Sequence, residues 1–218
     1  MKINIAIDGP SAAGKSTIAK KIAKELGYVH LDTGAMYRSV AYKALRFNVD
    51  LKNEEALVKM IDDTDIELTS DGKVYLDHED VSEVIRQNEI SMAASAVSVF
   101  KEVRAALVAR QQKMAESKGV IMDGRDIGTV VLKDAELKIF LTASAEARAQ
   151  RRCLENASKG IESDFKKITE EIKARDYQDT HREHSPLTQA ADTVVVDTSM
   201  MTIDEVCCTI MEMIKRII

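Results

Sequence analysis

Lys15 sits between a glycine and two hydroxyl residues in the run Asp8-Gly9-Pro10-Ser11-Ala12-Ala13-Gly14-Lys15-Ser16-Thr17. A loop bounded by glycines in this spacing can wrap its backbone N–H groups around a diphosphate and aim a helix N-terminus at the same anion. Gly9, Pro10, Ser11, Ala12, Ala13, Gly14, Lys15, Ser16 and Thr17 are therefore the candidate ATP-binding residues. Lys15 brings a mobile positive charge to the outer phosphates, and the Ser16 hydroxyl is a natural Mg²⁺ ligand. The motif implies nucleotide binding but not which reaction follows.

Two further constellations suggest an acceptor. In Asp32-Thr33-Gly34-Ala35-Met36-Tyr37-Arg38 a glycine-containing turn opens a helix with an arginine one turn inside, an arrangement that can bind an anion. In Val120-Ile121-Met122-Asp123-Gly124-Arg125-Asp126 an apolar strand ends in Asp123, a second candidate Mg²⁺ ligand, and Gly124 lets Arg125 and Asp126 turn into a cleft. Those two could simply be a mutual surface ion pair. A guanidinium beside a carboxylate also suits a ligand with both a phosphate and an exocyclic amine.

Two arginine rows complete the set. Arg148, Arg151 and Arg152 fall at i, i+3 and i+4, and Arg175, Asp179 and Arg182 at i, i+4 and i+7, so each row shares one helix face. Such rows are most often solvated. Here they bracket a polar segment, Glu155 to Asp164, that could close as a lid, with residues 153–164 as its extent. Phosphoryl transfer needs charge stabilisation where water is excluded, which makes Lys15, Arg125, Arg151, Arg152 and Arg182 the candidate catalytic residues. Arg104 is a further candidate for an acceptor phosphate.

The elements that must position these groups alternate. Ile3 to Ile7, Tyr28 to Leu31, Val120 to Met122, Leu137 to Leu141 and Thr193 to Val196 read as buried strands. Helical periodicity covers 15–26, 35–47, 53–62, 89–116, 144–158, 164–181 and 203–217. Asp32, Asp123 and Asp197 follow strand ends, the edge where an open parallel sheet binds ligands. Period-two alternation from Asp65 to Asp77 around Ser-Asp-Gly predicts an antiparallel hairpin in a small insertion, about 64–87. The fold class is α/β with one main domain over residues 1–218.

A formal charge of −5, with Lys and Arg spread along the chain, argues against nonspecific nucleic-acid binding. Three cysteines, two of them adjacent, suggest reduced thiols rather than a disulfide framework. No apolar run has the length of a membrane span, and the N-terminus lacks a signal-peptide pattern. The expectation is a cytoplasmic protein with no membrane or nucleic-acid partner.

With IDGPSAAGKST (7–17), LDTGAMYR (31–38), DGRDIGTVV (123–131) and the R-D-x-x-D-x-x-R stretch from Arg175 to Arg182 in view, the chain closely resembles the bacterial cytidylate kinases, nucleoside monophosphate kinases of the P-loop NTPase fold. The resemblance implies a five-stranded parallel core with an NMP-binding insertion and a short lid, acting as a monomer. It implies transfer of the ATP γ-phosphoryl group to CMP or dCMP with Mg²⁺. By the same resemblance Thr33, Arg38, Ser95, Arg104, Arg125, Asp126, Arg175, Asp179 and Arg182 surround the CMP acceptor. Asp126 and Ser95 would read cytosine; Arg38, Arg125 and Arg182 would take the phosphate; Asp179 would face the sugar beside Arg175. Ser16 and Thr33 stand where many relatives carry Gly and Ser, which leaves the ribose or deoxyribose preference open. The competing readings are a kinase for another monophosphate or a small alcohol such as shikimate, and a nucleotide-dependent switch. The switch is disfavoured because no N-K-x-D guanine-reading motif is found.

Overall fold

The alternation of strand and helix is what the computed structural model shows, over residues 2–69, 71–158 and 160–218. In chain order the elements are β1 (Ile5–Asp8), α1 (Lys15–Leu26), β2 (Val29–Asp32), α2 (Thr33–Arg46), α3 (Glu54–Asp62), β3 (Ile66–Leu68), β4 (Val74–Leu76), β5 (Glu79–Asp80), α4 (Asn88–Val97), α5 (Lys101–Met114), β6 (Val120–Gly124), β7 (Leu137–Thr142), α6 (Ala145–Ser158), α7 (Phe165–His181), β8 (Val194–Asp197) and α8 (Ile203–Lys215). A wide helical turn, Ile127–Val131, follows β6.

Five strands form a parallel sheet in the order β2-β6-β1-β7-β8. Every residue of β1 and β6 is buried, as a parallel strand covered by helices on both faces requires. The register pairs Asp123 with both Asp32 and Ile7, so three strands end side by side and present their last residues to one edge. One apolar core joins the sheet to α1 and α8 through Ile5, Ile18, Ile22, Ile139 and Ile210. Another, on Ala6, Leu31, Met122 and Ile127, lies under the turn after β6.

The predicted hairpin is present: Ile66 to Leu68 pairs antiparallel with Val74 to Leu76, and β5 adds a short third strand. Its buried residues share a core with α2 to α5, from Met36 and Leu57 to Val97 and Leu107. The hairpin is thus one wall of a subdomain built mostly from helices. Ser70 of its turn, and residue 159 in the segment read as a lid, lie outside the described residues.

Two expectations need correction. The runs Tyr28 to Leu31 and Thr193 to Val196, read as buried, form the two edge strands, β2 and β8, in which only Leu31 and Val196 are buried. The helical run 89–116 is two helices, α4 and α5, parted at Ser98 to Phe100. The Ser98 hydroxyl donates to the Ser95 carbonyl at 2.9 Å, Phe100 takes an extended conformation, and Arg104 Nη1 donates to the Ser98 carbonyl at 3.1 Å. Side chain-to-backbone bonds of this kind compete with the helical ladder, and neither glycine nor proline marks the break in sequence.

Candidate active site

Gly9 lies at φ 147°, and a Cβ there would stand 2.0 Å from the Leu141 carbonyl oxygen, so the loop leaves β1 jammed against β7 with no space for a side chain. Gly14, at φ 89°, is the N-cap of α1. Between them the loop carries Ala12 at φ 58°. Left-handed residues in close succession turn backbone N–H groups toward one concave face, the cradle inferred from spacing.

Lys15 is 6% exposed and its ammonium donates to the Pro10 carbonyl at 2.7 Å. Burial, and then the nearby Arg125 guanidinium, push it down to about 7, far below the ordinary lysine value. The Ser16 hydroxyl donates to Asp123 Oδ2 at 2.7 Å, so the two candidate metal ligands do meet, at the end of β6. His30 Nε2 lies 2.7 Å from the other carboxylate oxygen of Asp123. The Thr33 hydroxyl donates to the Asp123 main-chain carbonyl at 2.8 Å, an approach open because Gly124 has no Cβ to stand 2.6 Å from that hydroxyl.

The acceptor-side candidates converge next to this. Arg125 Nε donates to Asp179 Oδ2 at 2.7 Å, and Arg104 Nη2 donates to Asp126 Oδ2. Arg182 Nη2 lies 3.8 Å from Asp126 Oδ1. Arg125 and Asp126 therefore pair with α7 and α5, not with each other. Arg38 Nη2 donates to Asp32 Oδ2 at 2.9 Å, while Asp32 Oδ1 accepts from the Ala35 N–H and caps α2. The Ser95 carbonyl accepts from Gln178 Nε2 at 3.4 Å, which brings α4 up to α7.

Positive charge exceeds what these carboxylates satisfy. Burial and then the Arg125 charge push Arg175 down to about 10, with Arg38 and Arg152 adding to the effect. Burial and Arg104 lower Arg182. Asp179, whose burial works the other way, is held below its ordinary value by Arg125. Among the described residues, four buried guanidinium nitrogens make no hydrogen bond: Arg38 Nε, Arg104 Nε, Arg175 Nε and Arg182 Nη2. Buried donors without partners cost free energy, and donors gathered from three helices, α2, α5 and α7 with its C-cap Arg182, match the oxygens of a phosphate ester.

The row on α6 divides. Arg148 is buried, forks onto Asp176 at 3.0 and 2.5 Å, and donates to the Ser11 carbonyl at 3.2 Å, which ties the phosphate loop to α7. Arg151 donates to the Thr198 hydroxyl at 3.1 Å and to its carbonyl, beyond β8, so it stands apart from the other candidates. Arg152 is partly exposed, 3.5 Å from Glu155, and its charge reaches Arg175.

The sequence reading assigned no role to Tyr37, His30, Asp176 or Asp8. The Arg104 guanidinium lies over the Tyr37 ring at 5.5 Å, and burial pushes the Tyr37 phenol up to about 12. Tyr37 sits inside LDTGAMYR, so its motif was a signal; His30 is a single strand histidine that nothing local distinguishes.

A family model described as cytidylate kinase matches residues 5–216. The chain belongs to the cytidylate kinase family. A cytidylate kinase from Caldicellulosiruptor saccharolyticus is 54% identical over 220 residues, covering 100% of this chain and 97% of that protein. One from Enterococcus faecalis is 51% identical over 218 residues, covering 99% and 96%. A shikimate kinase from Bacteroides thetaiotaomicron superposes with a TM-score of 0.52 at 14% identity over 99% of each chain, a likeness of fold alone. The five-stranded parallel sheet flanked by helices is thus the P-loop kinase architecture.

Proposed function

We propose that this member of the cytidylate kinase family transfers the γ-phosphoryl group of ATP to CMP or dCMP, giving ADP and CDP or dCDP. One observation carries the reading beyond family membership. Asp123, at the end of β6, accepts from Ser16 of the phosphate loop at 2.7 Å, and Arg125, two residues on, donates to Asp179 of α7 at 2.7 Å, so one short segment joins the phosphate loop to the acceptor cluster.

The chemistry explains the charge. The attacking group is a phosphate oxygen, already anionic at neutral pH, so it needs no general base. What opposes reaction is the repulsion between two anionic nucleotides and the charge spread over the transferring group. In this reading the Gly9–Thr17 loop and Lys15 take the ATP phosphates, and Arg38, Arg125 and Arg182 take the CMP phosphate. Asp126 and Ser95 read the base, with Arg104 holding the Asp126 carboxylate. Asp179 and Arg175 flank the sugar, and Thr33 fixes the strand end beneath them. Residues 64–87 belong to the NMP-binding subdomain. Residues 153–164 act as a lid, with Arg152 just before it facing the transferring phosphate from the lid side, while Arg151 anchors the same helix to Thr198.

Mg²⁺ with ATP fits the donors present. Among the described residues no three His, Cys, Asp or Glu side chains gather around a metal position. A hydroxyl and one carboxylate, Ser16 Oγ and Asp123 Oδ2, are what a cation needs when phosphate and water oxygens fill its remaining positions. Bound there, Mg²⁺ would neutralise charge on the β- and γ-phosphates. The same reading takes the protein as a monomer acting on small molecules in the cytoplasm. Among the described residues no helix is long and apolar enough to cross a membrane.

An acceptor panel with ATP tests the proposal: CMP and dCMP outpace UMP, AMP and shikimate, whereas UMP or AMP turned over as efficiently as CMP overturns it. In the same panel Asp126→Ala leaves the cytosine amine without its acceptor. The CMP over UMP preference falls by about 1–3 kcal/mol, roughly 5- to 150-fold in kcat/KM. Tm falls as well, because Arg104 and Arg182 lose the carboxylate that faces them. An unchanged preference would remove Asp126 from base recognition.

A further inference from the structure

We infer that Asp8, the last residue of β1, is a positioning residue that locks the acceptor-binding turn to the phosphate loop and so fixes where Arg125 and Asp126 stand relative to Lys15. The inference rests on the CMP kinase reading of the site. Asp8 is 5% exposed, and both its carboxylate oxygens are engaged: Oδ1 accepts from the Ile127 N–H and Oδ2 from the Gly128 N–H, each at 2.7 Å.

Those two N–H groups open the wide turn Ile127–Val131. Inside it the Asp126 carbonyl accepts from Val130 at 2.9 Å and Val131 at 3.3 Å, which leaves the first N–H groups without partners in the turn itself. A carboxylate from a distant part of the chain supplies them, in the manner of an anion at a helix N-terminus. The residue just before this turn is Asp126, and the one before that is Arg125. Gripping 127 and 128 therefore sets the direction in which both side chains leave the backbone.

The other end of the clamp is equally fixed. Asp8 is covalently joined to Gly9, where a Cβ would stand 2.0 Å from the Leu141 carbonyl oxygen, and β1 is paired in parallel with β6 on one side and β7 on the other. Keeping a carboxylate here works against its burial, which pushes Asp8 up to about 6 even though both N–H groups and Lys15 oppose that; Asp126 adds to the rise. The remaining charged neighbour, Lys138 on β7, packs its carbons on Gly128 and commits its ammonium to Asp192 at 3.0 Å. A neutral residue would relieve the burial penalty but would not offer two acceptors. Asparagine is nearly the same shape and presents one acceptor and one donor, so one of the two N–H groups would face another N–H.

The test is Asp8→Asn, with CMP and ATP analogue affinities measured separately by calorimetry alongside steady-state kinetics. CMP affinity is expected to fall at least tenfold while ATP analogue affinity stays within threefold, because the phosphate loop is also held by Arg148 on Ser11. CMP affinity within threefold of wild type, or equal losses for both nucleotides, overturns the inference and leaves Asp8 a plain scaffold residue. If Asp8→Asn does not fold, Gly128→Ala decides. It inserts a methyl group 3.4 Å from Asp8 Oδ2 and 3.2 Å from Lys138 Cδ, and should weaken CMP selectively; equal or absent losses there overturn the inference too. Failure of wild-type protein to phosphorylate CMP would instead strike the functional reading, so the two failures are distinguishable.

Discussion

Lys15→Met lowers kcat for CMP phosphorylation by about 10²–10³ while Tm holds or rises. The ammonium is the charge on the phosphate loop that can follow the transferring group, and losing one preorganised donor of this type costs about 2.7–4 kcal/mol. Stability moves the other way for a physical reason. The fold holds Lys15 near 7, below the 10.5 of an ordinary lysine, so at neutral pH the unfolded chain binds the proton more tightly than the folded one. Folding therefore works against that proton until an anionic nucleotide arrives. Methionine fills the same space without it. Steady-state kinetics and thermal melts on one preparation check both signs, and kcat within fivefold of wild type removes Lys15 from the catalytic groups.

Arg182→Ala lowers kcat/KM for CMP by at least a hundredfold and leaves KM for ATP within threefold. Its Nε is spent on the Ser185 carbonyl at 2.7 Å, which fixes the plane of the guanidinium, while buried Nη2 makes no hydrogen bond among the described residues and lies 3.8 Å from Asp126 Oδ1. A rigid fork with a hydrogen-bond donor to spare is what orients a phosphate, and a lysine has no second nitrogen to anchor. Arg182→Lys is therefore expected to recover less than a tenth of the lost kcat/KM. Recovery to wild-type rates with lysine would mean that bulk charge, not geometry, is what the position supplies.

Much of this was legible in the sequence because the signals are local. The phosphate loop declares itself by Gly9, Gly14 and Lys15 between an apolar run and a helical one, and strand and loop context alone singled out Ser16 and Asp123, whose side chains lie 2.7 Å apart. Pairings between distant segments were not. The partners of Arg125 and Asp126 are Asp179 and Arg104, set by how α7 and α5 close over the sheet edge, and no spacing encodes that. Helical periodicity placed Arg148, Arg151 and Arg152 on one face, yet three different neighbours draw them apart: Asp176 and Ser11, Thr198, and Glu155. The break between α4 and α5 was hidden for a related reason, since it depends on Arg104 reaching back to the Ser98 carbonyl. Asp8 carried a signal of position only, one residue before the loop, and its grip on Ile127 becomes visible only when β1 and β6 lie side by side.

The central claim is that donor and acceptor phosphates meet in one pocket between Lys15 and the arginines of α2, α5 and α7. Calorimetric titration with a bisubstrate ligand, adenosine and cytidine joined through five phosphates, tests it most directly. The account predicts one ligand per chain, displaced by either ATP or CMP, bound far more tightly than either alone, and weakened by both Lys15→Met and Arg182→Ala. A ligand that leaves the CMP site open, binds twice per chain, or is indifferent to either substitution would contradict it.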